Sequence, residues 1–84
     1  MSKCDELRLR ILQGKSDANI RFDDLCQLLR WLGFEGRVRG SHPIFRKQSI
    51  RDRINLQRDG SKAKVYQVRQ VRHVMLTYGL EGES

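Results

Sequence analysis

Cysteine, histidine and proline are all scarce in this sequence, and their scarcity excludes several kinds of site. The 84 residues include two cysteines, two histidines and one proline. Cys4 and Cys26 are far apart and neither belongs to a C-x-x-C pair, so the sequence predicts two free thiols. No cluster of histidine, cysteine and acidic residues has the spacing of a metal site, and we expect neither a metal ion nor a cofactor.

Long apolar runs and familiar catalytic motifs are missing too. No stretch of about 18 apolar residues exists, so no transmembrane helix is predicted, and the first residues lack the apolar segment of a signal peptide. A phosphate loop of Walker type is absent, as is a pair of acidic residues suited to glycosidase chemistry. We expect a cytoplasmic protein that does not act at a membrane. If it is an enzyme, His42 is its candidate acid/base.

Basic residues are what the sequence has in excess. Lysine and arginine number 17 against 10 acidic residues, which gives a net charge of +7. Such a charge on a small chain favours a polyanionic partner: nucleic acid first, an acidic protein second. A membrane surface ranks third, because no basic amphipathic helix with a large apolar face is present. At this length the chain is expected to form one domain.

The N-terminal part is expected to be an extension that contains a short helix. Leu7–Ile11 alternates as a strand would, but Asp5 and Glu6 suit the start of a helix, and Gly14 suits its end. The expected organisation is an extension, a domain and a disordered tail, at residues 1–19, 20–80 and 81–84.

Two amphipathic helices frame the predicted domain. The first covers about residues 24–32, with Asp23 as N-cap and Gly33 in the left-handed position after it. Its apolar stripe consists of Leu25, Leu28, Leu29 and Leu32. The second helix covers about residues 67–78 and ends at Gly79. Its apolar stripe consists of Val68, Val71, Val74, Met75 and Tyr78. The opposite face, expected in solvent, carries Arg69, Arg72 and His73.

Three short strands are predicted between the two helices. They cover about residues 34–39, 42–47 and 53–57. A loop is predicted at 59–62. In the third strand Ile54 and Leu56 face inward. The order helix, three-stranded antiparallel meander, helix predicts an α+β fold, with both helices on one face of the sheet and the other face in solvent.

The turn between the first two strands contains the candidate site. Histidine can take up and return a proton near neutral pH, so His42 is the candidate catalytic residue, although lone loop histidines are usually bystanders. Gly40 lets a phosphate approach the backbone, and Ser41 offers a hydroxyl and an N–H, although Gly-Ser is also ordinary turn chemistry. The cations that would bind RNA phosphates are Arg37, Arg39, Arg46, Lys47, Lys62 and Lys64.

Two orientations of His42 are open. Side chains alternate along a strand, so His42 shares a face with Ile44, and Pro43 shares the other face with Phe45. If Phe45 packs in the core, His42 faces the open basic side. If Ile44 does, His42 leans toward the helices. We favour the first arrangement because Phe45 has more apolar surface to bury. Pro43 suits the first position of a strand or an edge strand.

Three motifs together carry a family resemblance. They are the leucine-rich helix ending in Leu32-Gly33-Phe34, the element Arg39-Gly40-Ser41-His42-x-x-Phe45, and the last helix ending in Tyr78-Gly79-Leu80. Over residues 20–80 the chain resembles the HicA toxins of HicA–HicB toxin–antitoxin pairs. The resemblance implies a fold like that of the double-stranded-RNA-binding domain. It also implies a ribosome-independent mRNA interferase, that is, an endoribonuclease without a metal, in which His42 is catalytic.

The same resemblance implies partners. They are mRNA as the substrate, a HicB-type antitoxin that covers the active site, and operator DNA bound through the toxin–antitoxin complex. The chain departs from the family at two points. Many members have a second polar residue, often histidine, where this chain has Pro43. The N-terminal extension, residues 1–19, is also longer than that of compact members. Water, Ser41 and a lysine are all open as the donor that protonates the leaving oxygen.

Two other functions fit the same residues. One is a non-catalytic nucleic-acid-binding module of the same fold, in which the histidine is inert. The other is an adaptor whose basic face binds an acidic protein. Shortening of RNA in the presence of a chelator would distinguish an enzyme from the binding module. An adaptor predicts weak affinity for RNA at moderate salt.

Overall fold

The computed structural model describes residues 2–39 and 42–81, without the side chains of residues 38, 39 and 42. The described chain is an α+β protein. Its elements are α1 (Lys3–Gln13), a 3-10 turn (Asp17–Asn19), α2 (Phe22–Trp31), β1 (Glu35–Arg39), β2 (His42–Arg46), β3 (Ile54–Asn55), β4 (Arg58–Asp59), β5 (Lys62–Ala63) and α3 (Val65–Tyr78). The predicted order of helix, three strands and helix is confirmed, with a second hairpin inserted before α3. No helix within the described ranges is long and apolar enough to cross a membrane. Of the tail predicted to be disordered, residues 82–84 lie outside the description.

The helix predicted in the N-terminal extension is present as α1. The side-chain oxygen of Ser2 accepts a hydrogen bond from the backbone N–H of Asp5 at 3.2 Å, which caps the helix. Gly14, with φ of 72°, ends it in the left-handed conformation. Leu7 and Ile11 are 9% and 1% exposed and belong to the main core. The extension therefore packs against α2 and α3.

Helix α2 begins two residues earlier than predicted, at Phe22. Its N-cap is Arg21, not Asp23, and no side chain caps it. The backbone N–H of Phe22 instead donates to the carbonyl of Ser61 at 3.0 Å, so a neighbouring hairpin supplies the partner that a cap would supply. Gly33 adopts the predicted left-handed conformation, with φ of 98°. The apolar stripe is buried as predicted at Leu25, Leu28, Leu29 and Leu32.

Helix α3 also begins two residues earlier than predicted, at Val65. Its apolar stripe is confirmed at Val68, Val71, Val74 and Met75. Tyr78, predicted to belong to that stripe, is 38% exposed. Arg72 was predicted to face solvent, and this is wrong: its Nε donates to the carbonyl of Ile11 at 3.1 Å and its guanidinium pairs with Asp17. The reason is that α1 packs along this side of α3. Solvent does reach the other two polar residues, Arg69 and His73.

Strands β1, β2 and β3 form an antiparallel sheet with β2 in the centre. One set of cross-strand pairs is Glu35–Arg46, Arg37–Ile44 and Arg39–His42, and the alternate set is Gly36–Phe45 and Val38–Pro43. Phe45 is fully buried, whereas Arg37 and Arg46 are exposed. The predicted arrangement with Phe45 in the core is therefore confirmed. The helices cover one face of the sheet, and solvent reaches the other, which we call the outer face.

Strand β3 is shorter than predicted at both ends, and Pro43 provides a physical reason for its end before Leu56. The proline lies at the second position of the central strand, not at a strand start or an edge. The N–H of Leu56 donates to the Pro43 carbonyl at 3.0 Å, but proline has no N–H to donate in return. Gln67 holds the backbone here instead: its side chain accepts from the N–H of Gln57 and donates to the carbonyl of Asn55. A side chain of α3 thus continues the hydrogen bonding of the sheet.

A second hairpin replaces the loop predicted at 59–62. Strands β4 and β5 pair across Gly60 and Ser61. The N–H of Ala63 donates to the carbonyl of Ile20 at 2.9 Å, and the Arg58 guanidinium lies 4.3 Å from the centre of the Phe22 ring. The hairpin therefore covers the start of α2. Only Ala63 of its four strand residues is buried, so the sequence shows no apolar alternation here.

Candidate active site on the outer face of the sheet

His42 occupies the first residue of β2, where its backbone lies across from Arg39. Gly40 and Ser41, the other two residues of the predicted motif, lie outside the described residues, as do the side chains of Arg39 and His42. Arg46, at the other end of the same strand, is exposed on the outer face. Because Phe45 is buried, strand periodicity predicts that His42 lies on that face as well. The outward orientation of the His42 side chain itself stays a prediction.

An open groove of about 900 Å³ lies on the outer face. Arg37, Ile44 and Arg46 contribute to it from the hairpin, residues 47–50 follow directly after β2, and Arg53 precedes β3. The Arg37–Ile44 pair is the next outer-face pair after Arg39–His42. Two residues along a strand span about 7 Å, so the groove begins one such step from the backbone of His42.

Four cationic side chains line the groove: Arg37, Arg46, Lys47 and Arg53. No ion pair with another described residue is formed by Arg37, Arg46 or Arg53. Ion pairs do occur elsewhere in the described chain, for example between Lys3 and Asp24 at 3.0 Å. The three arginines therefore keep their N–H donors available for an anion, and a guanidinium matches the oxygens of a phosphate well.

The groove also has apolar and acidic parts. Ile44 is half-buried and Ile50 is 8% exposed, and both line it. Glu35 is the one acid among the described lining residues, and its backbone pairs with Arg46. The arrangement therefore offers cations for phosphates, aliphatic surface for the flat faces of bases, and one carboxylate that can accept hydrogen bonds.

The groove brings together only part of the cationic set predicted from the sequence. Arg37, Arg46 and Lys47 line it, whereas Lys62 and Lys64 do not. The Lys62 Nζ donates to the side chain of a residue in the 3-10 turn, and the Lys64 Nζ donates to the side chain of Gln57, each at 3.2 Å.

Arg53 and Glu35 are lining residues that sequence reasoning did not select. Strand alternation had placed Arg53 facing outward, which is the available signal. Its position beside the hairpin depends on the path of residues 47–53, and no periodicity predicts that path. Glu35 lies two residues before Arg37 on the predicted strand and so shares its face, but its negative charge does not suit a phosphate site.

The other reactive side chains in the described chain lie away from this groove. Burial raises the pKa of the Cys26 thiol, against a smaller lowering by Arg30, and a protonated thiol is a poor nucleophile. His73 is exposed on α3, with Nε2 3.5 Å from the Thr77 hydroxyl. Within the described ranges, no three His, Cys, Asp or Glu side chains lie close enough to hold a metal ion.

Comparison with known proteins finds no relative of this chain. No family model matches it, and no curated protein and no solved structure is significantly similar to it.

Proposed function

We propose that this protein is a HicA-type toxin, a metal-independent endoribonuclease that cleaves mRNA on the outer face of the β1–β2 hairpin, in a fold like that of the double-stranded-RNA-binding domain. The observation that supports the proposal most is the groove. It carries four cations, three of them arginines without an ion pair in the described chain. It begins next to the strand position of His42, whose motif carries the family resemblance.

The proposed reaction uses no metal ion and no cofactor. The His42 imidazole takes the proton of a ribose 2′-hydroxyl, and the 2′-oxygen attacks the adjacent phosphorus. The bond from phosphorus to the 5′-oxygen breaks, and that oxygen takes a proton from one of the three donors named above, water, Ser41 or a lysine, as it leaves. The products are a 2′,3′-cyclic phosphate and a 5′-hydroxyl end. General acid–base catalysis of this kind contributes about 10²–10⁴-fold to a rate.

The arginines of the groove have two roles in this proposal. They hold the RNA backbone in place, and they neutralise the extra negative charge that develops on the phosphate during attack. Among the cations that line the groove, Arg37 is the nearest to the His42 position, one outer-face step away, and we assign the second role to it. Arg46 and Arg53 lie farther along the groove and suit neighbouring phosphates.

The proposed partner is a HicB-type antitoxin that covers the groove and, in complex with the toxin, binds operator DNA. An acidic surface would complement the cations that line the groove. The corresponding genetic expectation is an adjacent reading frame for a small acidic protein. Its co-expression should relieve a growth arrest caused by this chain.

The test compares His42→Ala with His73→Ala, a substitution of the other histidine of the chain, which is exposed on α3. Purified proteins are incubated with RNA in the presence of a chelator. The His42 variant should lose cleavage by about 10²–10⁴-fold and keep its circular dichroism spectrum and most of its RNA affinity. The His73 variant should cleave like the wild type.

Two outcomes of this test would contradict the proposal. If the His42 variant cleaves RNA at the wild-type rate, the catalytic assignment is wrong. If the wild type binds RNA without shortening it, and Arg37→Ala weakens that binding and its dependence on salt, the protein is a non-catalytic nucleic-acid-binding module that uses the same groove.

A further inference from the structure

The groove contains one side chain that phosphate binding does not explain. Glu35 is exposed, it lines the groove among four cations, and it forms no ion pair with another described residue. A carboxylate repels phosphates, so in a groove that bound only the RNA backbone Glu35 would weaken the binding. Its presence there suggests a ligand group that donates hydrogen bonds.

The surroundings of Glu35 suit a nucleobase. Glu35 and Arg46 form the outer-face pair farthest from His42 within the hairpin, about 13 Å from it along the strands. The turn that follows β2 adds the small exposed part of Ile50, which is 8% exposed, and Gln48 and Ser49 as neutral polar side chains. Gly33, also in the lining, has no side chain that would fill the space. This end of the groove therefore offers a face for the base and an acceptor for its edge.

We propose, given the RNA-binding function above, that this end of the groove binds one unpaired guanine and that Glu35 recognises it. The Watson–Crick edge of guanine presents two parallel donors, N1–H and the N2 amino group, which match the two oxygens of a carboxylate. Adenine and cytosine present one amino donor beside a ring-nitrogen acceptor, which repels the carboxylate. Uracil presents one N–H between two carbonyl oxygens. Guanine is thus the base that this carboxylate favours.

The proposal makes Glu35 a determinant of cleavage-site preference. With the backbone held by Arg37 and Arg53 and the guanine held at Glu35, the bond presented to His42 lies at a fixed distance from the guanine. Cleavage sites in a mixed RNA should therefore share a guanine at a constant spacing from the cut bond. The Glu35→Gln variant should cut the same RNA without that shared guanine.

The decisive test measures binding, so that it does not depend on cleavage. Two fluorescent uridine oligoribonucleotides of equal length are used, one with a single central guanine and one with a single central adenine. The wild type should bind the guanine RNA about tenfold more tightly, as expected for a bidentate contact to a base edge. In Glu35→Gln one acceptor oxygen becomes an N–H donor, so the two affinities should become equal.

A matched control separates base recognition from charge. Glu35→Gln raises the net charge by one, so it should also strengthen binding of an all-uridine RNA modestly. Glu81→Gln makes the same charge change at an exposed residue outside the groove, and it should keep the guanine preference. If Glu35→Gln strengthens the binding of both RNAs equally and leaves the ratio of their affinities unchanged, Glu35 affects binding only through its charge and the proposal is wrong. Equal affinities in the wild type also overturn it, whether or not the protein cleaves RNA.

Discussion

At the scale of single residues, one buried amide decides how the sheet ends. Gln67 is 2% exposed, and its side chain accepts from the N–H of Gln57 at 2.6 Å and donates to the carbonyl of Asn55. It stands beside the position where Pro43 cannot donate. A helix residue therefore satisfies backbone groups that a longer strand would otherwise have satisfied.

We expect Gln67→Leu to lower the free energy of unfolding by about 1–3 kcal/mol, because it leaves a backbone N–H and a carbonyl unpaired in a partly buried position. Urea denaturation followed by circular dichroism measures the change. Gln27→Leu, at an exposed position of α2, is the control and should change stability by less than about 0.5 kcal/mol. Equal effects of the two substitutions would show that the Gln67 hydrogen bonds do not stabilise the fold.

At the scale of elements, the β1–β2 hairpin depends on a glycine that lies under an aromatic ring. Gly36 pairs with Phe45 across the strands, and a Cβ added at Gly36 would lie 2.6 Å from the Cε1 atom of the ring. On its other side the ring meets α2, where the Arg30 guanidinium carbon is 5.6 Å from the ring centre. Phe45 is fully buried, so its ring has little room to move away from a methyl group added at Gly36.

Gly36→Ala should therefore cost about 1–3 kcal/mol of stability through overpacking. The cost should be smaller in a Phe45→Leu background, where the smaller side chain leaves room for the new methyl group. A double-mutant cycle by chemical denaturation measures this coupling. Additive effects of the two substitutions would mean that the close approach of Gly36 to Phe45 is not what limits the hairpin.

The two helices that frame the domain, and the buried face of β2, were predicted from their apolar residues. The leucine stripe of α2 and the valine stripe of α3 gave these helices to within two residues at their starts, and the larger apolar surface of Phe45 gave the correct face of β2. The β4–β5 hairpin was missed because only Ala63 is buried in it. The hairpin is held by two backbone hydrogen bonds, one from Phe22 at the start of α2 and one to Ile20, two residues before that helix, and no local pattern reveals them.

The candidate site was predictable in its strand residues and not beyond them. Arg37 and Arg46 were predicted as cations of the hairpin, and alternation along β2 gives Arg46 the same face as Ile44; both arginines line the groove on the outer face. Arg53 and Ile50 reach the groove through an irregular segment whose path depends on tertiary packing. Lys62 and Lys64 follow the three strands in the sequence, but they do not line the groove. Each donates a hydrogen bond to a side chain elsewhere.

At the scale of the whole molecule, the N-terminal extension is part of the core. Leu7 and Ile11 of α1 are buried against the rest of the chain. Arg72 then joins α3 to the end of α1 and to Asp17, with its guanidinium 2.5 Å from the carboxylate. The side chains of Arg72 and Asp17 are 21% and 14% exposed, so solvent weakens this ion pair only in part. Helix α1 therefore packs against α2 and α3, the two helices that cover the sheet.

Ile11→Ala should lower the free energy of unfolding by about 2–5 kcal/mol, as truncation of a buried aliphatic side chain does. Leu9→Ala on the same helix is the control: Leu9 is 43% exposed and should cost far less. Guanidinium denaturation distinguishes the two. If both variants lose little stability, the extension is not required for the core.

The proposed function of the whole molecule is to cleave RNA on the outer face, beside His42, with a ribose 2′-hydroxyl as the nucleophile. It is tested most directly with an RNA of known cut site and a matched RNA with 2′-deoxyribose at the nucleotide that supplies the attacking oxygen. In the presence of a chelator, the wild type should cut the first RNA to a 2′,3′-cyclic phosphate and a 5′-hydroxyl end. It should bind the second equally well and leave that bond intact. Cleavage of the deoxy-substituted RNA at the same bond, or products with 5′-phosphate ends, would contradict the claim.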